Sequence, residues 1–214
     1  MRILWVPHAG WHIPQRANLF CRELAHKHEV HVTDLYSDFA GIKDYLSLRY
    51  LRNFTYEKYM DHDITVHRIP RISPAIFSSY LRDLNQWLFA RFVGRIIKRY
   101  RIDAIVGTYL LLPPRVEGVR VVFDLYDENV SLWRERGKPK IAAEIEAVEN
   151  RYYAEADAII AASNVLVEKA QAHQAKGAIH YIPNGVDLRL FKPSEKEPHQ
   201  GQTVVGSVAN FESI

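Results

Sequence analysis

The sequence has 214 residues, of which 48% are hydrophobic and 25% are charged, a composition typical of a folded globular protein and unlike that of a disordered chain. The net charge of +3 is small, and the single cysteine, Cys21, excludes a disulfide framework and a cysteine-based zinc site and favours a reducing, cytoplasmic compartment. Apolar runs fall short of the about 18–20 residues that cross a bilayer, and a signal-peptide pattern is missing, so we expect a protein that is neither secreted nor integral to a membrane.

In the first half of the chain, short apolar runs alternate with longer helical patterns. The predicted elements are, in chain order, a strand at residues 3–6, a helix at 18–28, strands at 30–33 and 64–69, a helix at 76–100 and a strand at 104–107. Residues 35–60 are aromatic and basic without a clear period, which predicts loops and short helices.

The second half continues the alternation with a strand at residues 119–125, a helix at 141–154, a strand at 156–162, a helix at 164–174 and a strand at 179–182. Ser163 is predicted to cap the last helix and Gly177 to close it. The repeated β-α order predicts an α/β fold, a Rossmann-like doubly wound parallel sheet. We interpret residues 1–193 as one domain, residues 194–202 as a polar linker, and residues 203–214 as the first strand of a second domain that the chain does not complete.

Two motifs near the C-terminal end of the chain occur in a specific order. Residues 156–163 read Ala-Asp-Ala-Ile-Ile-Ala-Ala-Ser, and residues 182–187 read Ile-Pro-Asn-Gly-Val-Asp, followed by Phe-Lys-Pro at 191–193. Together they resemble the end of the N-terminal lobe in retaining glycosyltransferases of family 4, which have the GT-B fold. The resemblance extends over nearly the whole chain and is weakest in the insert before residue 60.

The resemblance implies the acceptor-side lobe of a two-lobed enzyme. Such an enzyme transfers a sugar from a nucleotide-sugar donor to a glycan or lipid-linked acceptor. The principal acidic donor-binding motif of the family belongs to the second lobe, so we expect the chain by itself to be inactive. We expect no cofactor beyond the nucleotide-sugar co-substrate.

The loop between the first strand and the first helix contains His8, Gly10, His12 and Arg16. It lies where the family has a glycine-containing loop near the donor phosphates. Backbone N–H groups at a helix start attract anions, and Arg16 would add positive charge. The alternative is an ordinary strand-to-helix connection. The two histidines lack nearby cysteine or carboxylate partners, so we expect contact with sugar or phosphate and no metal.

Carboxylates cluster at the end of the strand that precedes residue 126. In many family members a His-Asp pair ends this strand, and alignment on the apolar run places Tyr126 at the histidine and Asp127 at the aspartate. This departure leaves Asp127 or Asp124 as the group that binds the acceptor hydroxyl or accepts its proton. Alternatively, one aspartate caps the next segment and Glu128 is solvated.

Ser163 and Asn184 both follow predicted strands. Ser163 caps a helix and Asn184-Gly185 suits a tight turn, but ligands collect outside the carboxyl ends of strands in a doubly wound sheet. We therefore also predict that Ser163 and Asn184 line the binding cleft.

The insert at residues 43–60 and the helix around Trp87 and Arg91, within the basic segment 71–101, offer aromatic faces and cations. They fit acceptor contacts and peripheral contact with the inner face of a membrane, or simply a solvated helix face. Two other functions are open. A non-catalytic nucleotide- or anion-binding regulatory module would use a similar domain, although the Gly-x-Gly-x-x-Gly motif of dinucleotide sites is missing. A nucleic-acid partner is not expected, because the net charge is modest and a known reader motif is missing.

Overall fold

The computed structural model describes residues 1–8, 10–13, 15–34, 54–71, 79–108, 111–186 and 188. The predicted linker at residues 194–202 and the strand predicted from residue 203 lie outside these ranges. The strands in the described residues are β1 Arg2–Val6, β2 Glu29–Asp34, β3 Glu57–Asp61, β4 Ile64–Arg68, β5 Ala104–Gly107, β6 Arg120–Leu125, β7 Ala158–Ala161 and β8 Ala178–Tyr181. The helices there are α1 Arg16–Ala25, α2 Ser79–Tyr100, α3 Asn129–Glu135, α4 Pro139–Glu155 and α5 Asn164–Ala172.

The strands form one sheet in the order β3-β4-β2-β1-β5-β6-β7-β8. Neighbouring strands are parallel, apart from the antiparallel pair β3–β4. The chain builds outward from β1 through β2 to β4, and α2 then leads to β5 on the other side of β1. The prediction of a doubly wound, mainly parallel sheet is confirmed. Its switch point lies between β1 and β5, where ligand clefts form outside the carboxyl ends of the strands.

The apolar run in β1 is continuous because helices cover both faces of the sheet. Successive side chains of a strand point to opposite faces. Ile3 and Trp5 accordingly pack in a cluster with Cys21 of α1, whereas Leu4 and Val6 pack against α2. A third cluster joins β6 and β7 to α4 and α5. These clusters bury β1 and β6 by packing on both sides of the sheet, and the carboxyl ends of these strands are therefore supported by the core.

Two elements differ from the sequence predictions. Residues 57–60, at the end of the segment predicted as loops and short helices, form the edge strand β3 together with Asp61. Its sequence, Glu-Lys-Tyr-Met-Asp, lacks apolar alternation because the strand is largely exposed, and its conformation is set by antiparallel pairing with β4. The helix α3 was not predicted, since seven residues are too few to show a helical period.

Gly177 has a different role from the predicted one. The helix α5 ends at Ala172, and Gln174, with φ of 51°, adopts the left-handed conformation that was assigned to the glycine. A Cβ atom on Gly177 would lie 2.5 Å from the carbonyl oxygen of Ala156. The prediction was wrong because the glycine is needed for close approach of two backbones just before β7 and β8.

We therefore expect Gly177→Ala to lower the free energy of unfolding by about 1–3 kcal/mol, because the backbone must shift to admit the methyl group. Gly94→Ala is the matched control within α2, where the nearest atom to the new Cβ is Pro114 Cγ at 3.9 Å. Alanine there should raise the free energy of unfolding by about 0.5–1 kcal/mol. Urea unfolding followed by circular dichroism measures both, and equal effects of the two substitutions would contradict this account.

Candidate functional site

A cleft of about 270 Å³ opens at the carboxyl ends of β1, β5 and β6, beside the first turn of α1. Of the residues predicted for the site, the cleft is lined by His8, Arg16, Asp124, Tyr126 and Asn184. Gln15 and Thr108 also line it and were not predicted. The remaining predicted residues, Gly10, His12, Asp127 and Ser163, are not among the lining residues.

Arg16 joins three parts of the chain at the cleft. Its Nε donates to Asp124 Oδ1 at 3.1 Å, its Nη1 donates to Asn184 Oδ1 at 2.8 Å, and its Nη2 donates to the carbonyl oxygen of Ile182 at 2.7 Å. The guanidinium carbon lies 4.5 Å from the ring centroid of Phe20. The side chain thus ties the start of α1 to the end of β6 and to the segment that follows β8.

Asp124 is a buried ion-pair partner, with an exposed fraction of 2%. Burial raises the pKa of Asp124 to about 6, while the Arg16 guanidinium acts in the opposite direction. Because this pKa is higher than in an unfolded chain, the group favours the folded state below about pH 4, and that contribution is lost as the pH rises through about 6.

His8 lies against the ring of Tyr126, with centroids 4.9 Å apart. Burial lowers the pKa of His8, and the nearby carboxylate of Asp127 acts in the opposite direction. The imidazole is therefore neutral at neutral pH and can donate or accept a hydrogen bond. A histidine and an aspartate are therefore close enough to interact electrostatically at the end of β6, but the histidine comes from the end of β1. Sequence reasoning did not foresee this pairing, because the adjacency of the two strand ends is a property of the sheet order.

The loop before α1 is anchored through Trp11. Its backbone N–H donates to Asp34 Oδ1 at 2.9 Å, and its Nε1 donates to Asp61 Oδ2 at 2.7 Å. A Cβ at Gly10 would lie 2.8 Å from the His12 ring, so the His12 side chain would have to move. His12 itself is exposed. The tryptophan between Gly10 and His12 was the one sign in the sequence that this loop is anchored, and sequence reasoning did not use it.

Ser163 and Glu128 both cap helices. Ser163 Oγ accepts from the backbone N–H of Leu166 at 3.3 Å, which confirms the predicted cap. Glu128 Oε1 accepts from Ser131 N at 3.4 Å, at the start of α3, and its Oε2 pairs with Lys169 Nζ at 2.7 Å. Glu128 is therefore engaged by α3 and α5, contrary to the alternative that it is simply solvated.

The doubly wound sheet with a cleft at its switch point is a fold that the chain shares with solved GT-B glycosyltransferases. The chain matches sucrose-phosphate synthase from Thermosynechococcus elongatus with a TM-score of 0.60 and 13% identity, covering 90% of this chain and 50% of that one. A UGT transferase from Siraitia grosvenorii in complex with UDP matches with a TM-score of 0.50 and 12% identity over 84% of this chain and 50% of that one. UGT2 of Phytolacca americana, complexed with UDP-2fluoro-glucose and pterostilbene, matches with a TM-score of 0.50 and 9% identity over 85% of this chain and 54% of that one.

The chain thus spans about half the length of these solved structures, and identities this low establish the fold alone. The curated proteins contain no match to the sequence. The sequence profile described as Glycosyltransferase Family 4 matches residues 15–190. The chain belongs to that family, and the resemblance inferred from its two C-terminal motifs is confirmed.

Arg16→Met leaves the Asp124 carboxylate buried without its partner. We expect the free energy of unfolding to fall by about 3–5 kcal/mol at pH 8. The loss should be smaller at pH 5, because Asp124, with a pKa of about 6, is then largely protonated and needs no counter-charge. Urea unfolding at both pH values measures the effect. In the double variant Arg16→Met/Asp124→Asn, the loss of free energy of unfolding should be the same at pH 8 and pH 5, because the titrating carboxylate is gone. An equal loss at both pH values in the single variant Arg16→Met would refute the buried ion pair as the cause.

Proposed function

We propose that the chain is the acceptor-side lobe of a glycosyltransferase that transfers a sugar from a nucleotide-sugar donor to a glycan or lipid-linked acceptor. The observation that carries this proposal is the convergence of predicted site residues on one cleft at the switch point of a Family 4 lobe. A second lobe supplies most of the donor contacts in this scheme, and water is excluded when the lobes close. Transfer needs no bound metal ion in this scheme.

We assign proton removal from the acceptor hydroxyl to Asp127, which follows the cleft-lining Tyr126. Its carboxylate is exposed and lies close enough to His8 to influence the pKa of that imidazole. The neutral imidazole, held against Tyr126, orients the acceptor by hydrogen bonding. Asp124 is better suited to holding Arg16 than to reacting, because it is buried and paired.

Asn184 is assigned to ligand binding through its NH₂ group. Arg16 occupies the Oδ1 atom, which fixes the direction of the carboxamide at the edge of the cleft. The loop at Gly10 and His12 is assigned to the donor phosphates, which the N-terminal end of α1 would also attract. Ser163 remains a candidate contact near the carboxyl end of β7, in addition to its cap.

An apolar groove supports an acceptor with an apolar part. It has a volume of about 420 Å³, lies between α1 and the segment after β8, and adjoins the polar cleft through Leu19, Phe20 and Gly185. Pro183, Val186 and Leu188 form its other wall. A sugar or phosphate group in the cleft would leave an attached lipid or aromatic group in the groove.

The exposed face of α2 supports peripheral membrane contact. Trp87 is 56% exposed, and the guanidinium carbon of Arg91 lies 5.7 Å from its ring centroid. In the part of the chain that the structure describes, every helix is too short or too polar to cross a bilayer. We expect the chain to sediment with vesicles containing anionic lipid and the Trp87→Ser variant to sediment about tenfold less. If Trp87→Ser sedimented as well as the unmodified chain, or if the unmodified chain sedimented equally with neutral vesicles, this surface would be excluded as a membrane contact.

The catalytic assignment is tested with the polypeptide encoded by the complete reading frame. Asp127→Asn should lower kcat/KM for transfer from a panel of nucleotide sugars by about 10²–10⁴-fold, because the acceptor hydroxyl loses its proton acceptor. Asp83→Asn, an exposed aspartate on α2, is the matched control and should have no effect. The 214-residue chain alone should bind ligands without transferring sugar. Turnover by that chain would overturn the requirement for a second lobe, and binding without turnover by the complete polypeptide would favour the regulatory-module alternative.

A further inference from the structure

A continuous chain of hydrogen bonds runs through two buried histidines on the α2 side of the sheet, away from the cleft. His31 of β2 and His67 of β4 are 1% and 0% exposed, and His31 Nδ1 lies 2.9 Å from His67 Nε2. At one end His31 Nε2 lies 3.0 Å from Glu29 Oε1, and at the other His67 Nδ1 lies 2.8 Å from the Tyr56 hydroxyl.

The direction of every bond in this chain follows from Glu29. An ionised carboxylate only accepts, so His31 Nε2 carries a hydrogen. In neutral His31 the Nδ1 atom is then an acceptor, which requires His67 to donate from Nε2. The Nδ1 atom of neutral His67 accepts from the Tyr56 hydroxyl. One tautomer of each ring satisfies all three contacts, with both rings uncharged.

The surroundings oppose a positive charge on either ring. Tyr100 of α2 packs over both imidazoles, and burial lowers the pKa of both, that of His67 to about 3. The cations Lys58 and Arg2 also lower the pKa of His31, while Glu29 acts in the opposite direction. Burial and Tyr100 raise the pKa of Tyr56, while the nearby cation of Arg99 acts in the opposite direction. An extra proton on His31 Nδ1 would moreover face the N–H of His67, so two donors would oppose each other.

The histidine pair lies on strands that also support the loop before α1. The hairpin β3–β4 supplies Asp61, which accepts from the Trp11 indole, and Tyr59, whose hydroxyl donates to Asp34 Oδ2 at 3.3 Å. Arg68 of β4 lies 3.6 Å from the same Asp34 oxygen. Asp34 in turn accepts from the backbone N–H of Trp11. Displacement of the hairpin from β2 would therefore remove the Asp61 anchor of Trp11 and would take Tyr59 and Arg68 away from Asp34, which holds the other anchor.

We propose that the chain Glu29–His31–His67–Tyr56 is an acid-sensitive latch, which docks the β3–β4 hairpin on β2 while both histidines are neutral and releases it, with the Trp11 loop beside the cleft, when they take up protons. The latch goes beyond sugar transfer and would regulate access to the same cleft.

The sign of the pH dependence follows from the lowered pKa of each histidine. In the released state the rings regain ordinary values near 6.5, so below that pH the released state binds more protons than the docked state. Docking is favoured above about pH 6.5 and weakens as the pH falls toward about 3. The equilibrium constant for release should rise up to about tenfold per pH unit for each histidine, and about a hundredfold for two.

The test is nuclear magnetic resonance on the ¹⁵N-labelled 214-residue chain, with no nucleotide sugar present, so its failure is separate from failure of the proposed function. At pH 7.5 both rings should be neutral with the hydrogen on Nε2. As the pH falls to 4.5, the Trp11 indole N–H and the amides of β3 and β4 should lose their docked signals before those of β6, β7 and β8.

His31→Gln/His67→Gln removes both titrating groups and should abolish this response. Each single variant should reduce the slope to about tenfold per pH unit, which keeps the test decisive if the double variant does not fold. His26→Gln, at an exposed histidine after α1, should behave as the unmodified chain. A charged ring or an Nδ1–H tautomer at pH 7.5, simultaneous loss of signals in both halves of the sheet, or an unchanged response in the variants would each overturn the latch.

Discussion

The burial of β1 on both faces is the constraint on which the rest of the structure depends. Its apolar side chains alternate between α1 and α2, so neither face can be left to solvent. The chain must therefore place helices on both faces of the sheet. It does so by adding strands first beside one edge of β1 and then beside its other edge. The cleft at the switch point is a consequence of that reversal.

Polar groups at the cleft are held by a small number of directional bonds. Arg16 uses three donor atoms to join segments that belong to α1, β6 and the chain after β8. An arginine suits this position because its planar guanidinium presents several donors in a fixed geometry. The buried carboxylate of Asp124 gives the guanidinium its counter-charge, and the exposed carboxylate of Asp127 is left free of that structural task.

A second buried polar network lies in the half of the sheet formed by β2, β3 and β4. There, neutral imidazoles satisfy one another without an ion pair between them, so their stability depends on the absence of protons. These two networks differ in charge. The charge on Arg16 is balanced by Asp124, whereas the histidine pair is stable only when both rings are uncharged. Trp11, in the loop beside the cleft, is bonded to Asp34 of β2 and Asp61 of β3 in the same half of the sheet.

Local patterns in the sequence were sufficient for the alternation of strands and helices, the doubly wound sheet, the Ser163 cap and the family resemblance, because period and burial are properties of neighbouring residues. They did not identify β3, whose exposed residues lack alternation and whose conformation comes from pairing with β4.

The candidate site residues could mostly be predicted one by one, since five of them line the cleft. The contacts that these residues make could not be predicted from the sequence. Arg16 and Asp124 are 108 residues apart, Arg16 and Asn184 are 168 apart, and His8 meets Tyr126 only because of the strand order. The sequence by itself determined which groups follow which strands, and the tertiary structure decided which of them touch, because contact between strand ends depends on the order of strands in the sheet.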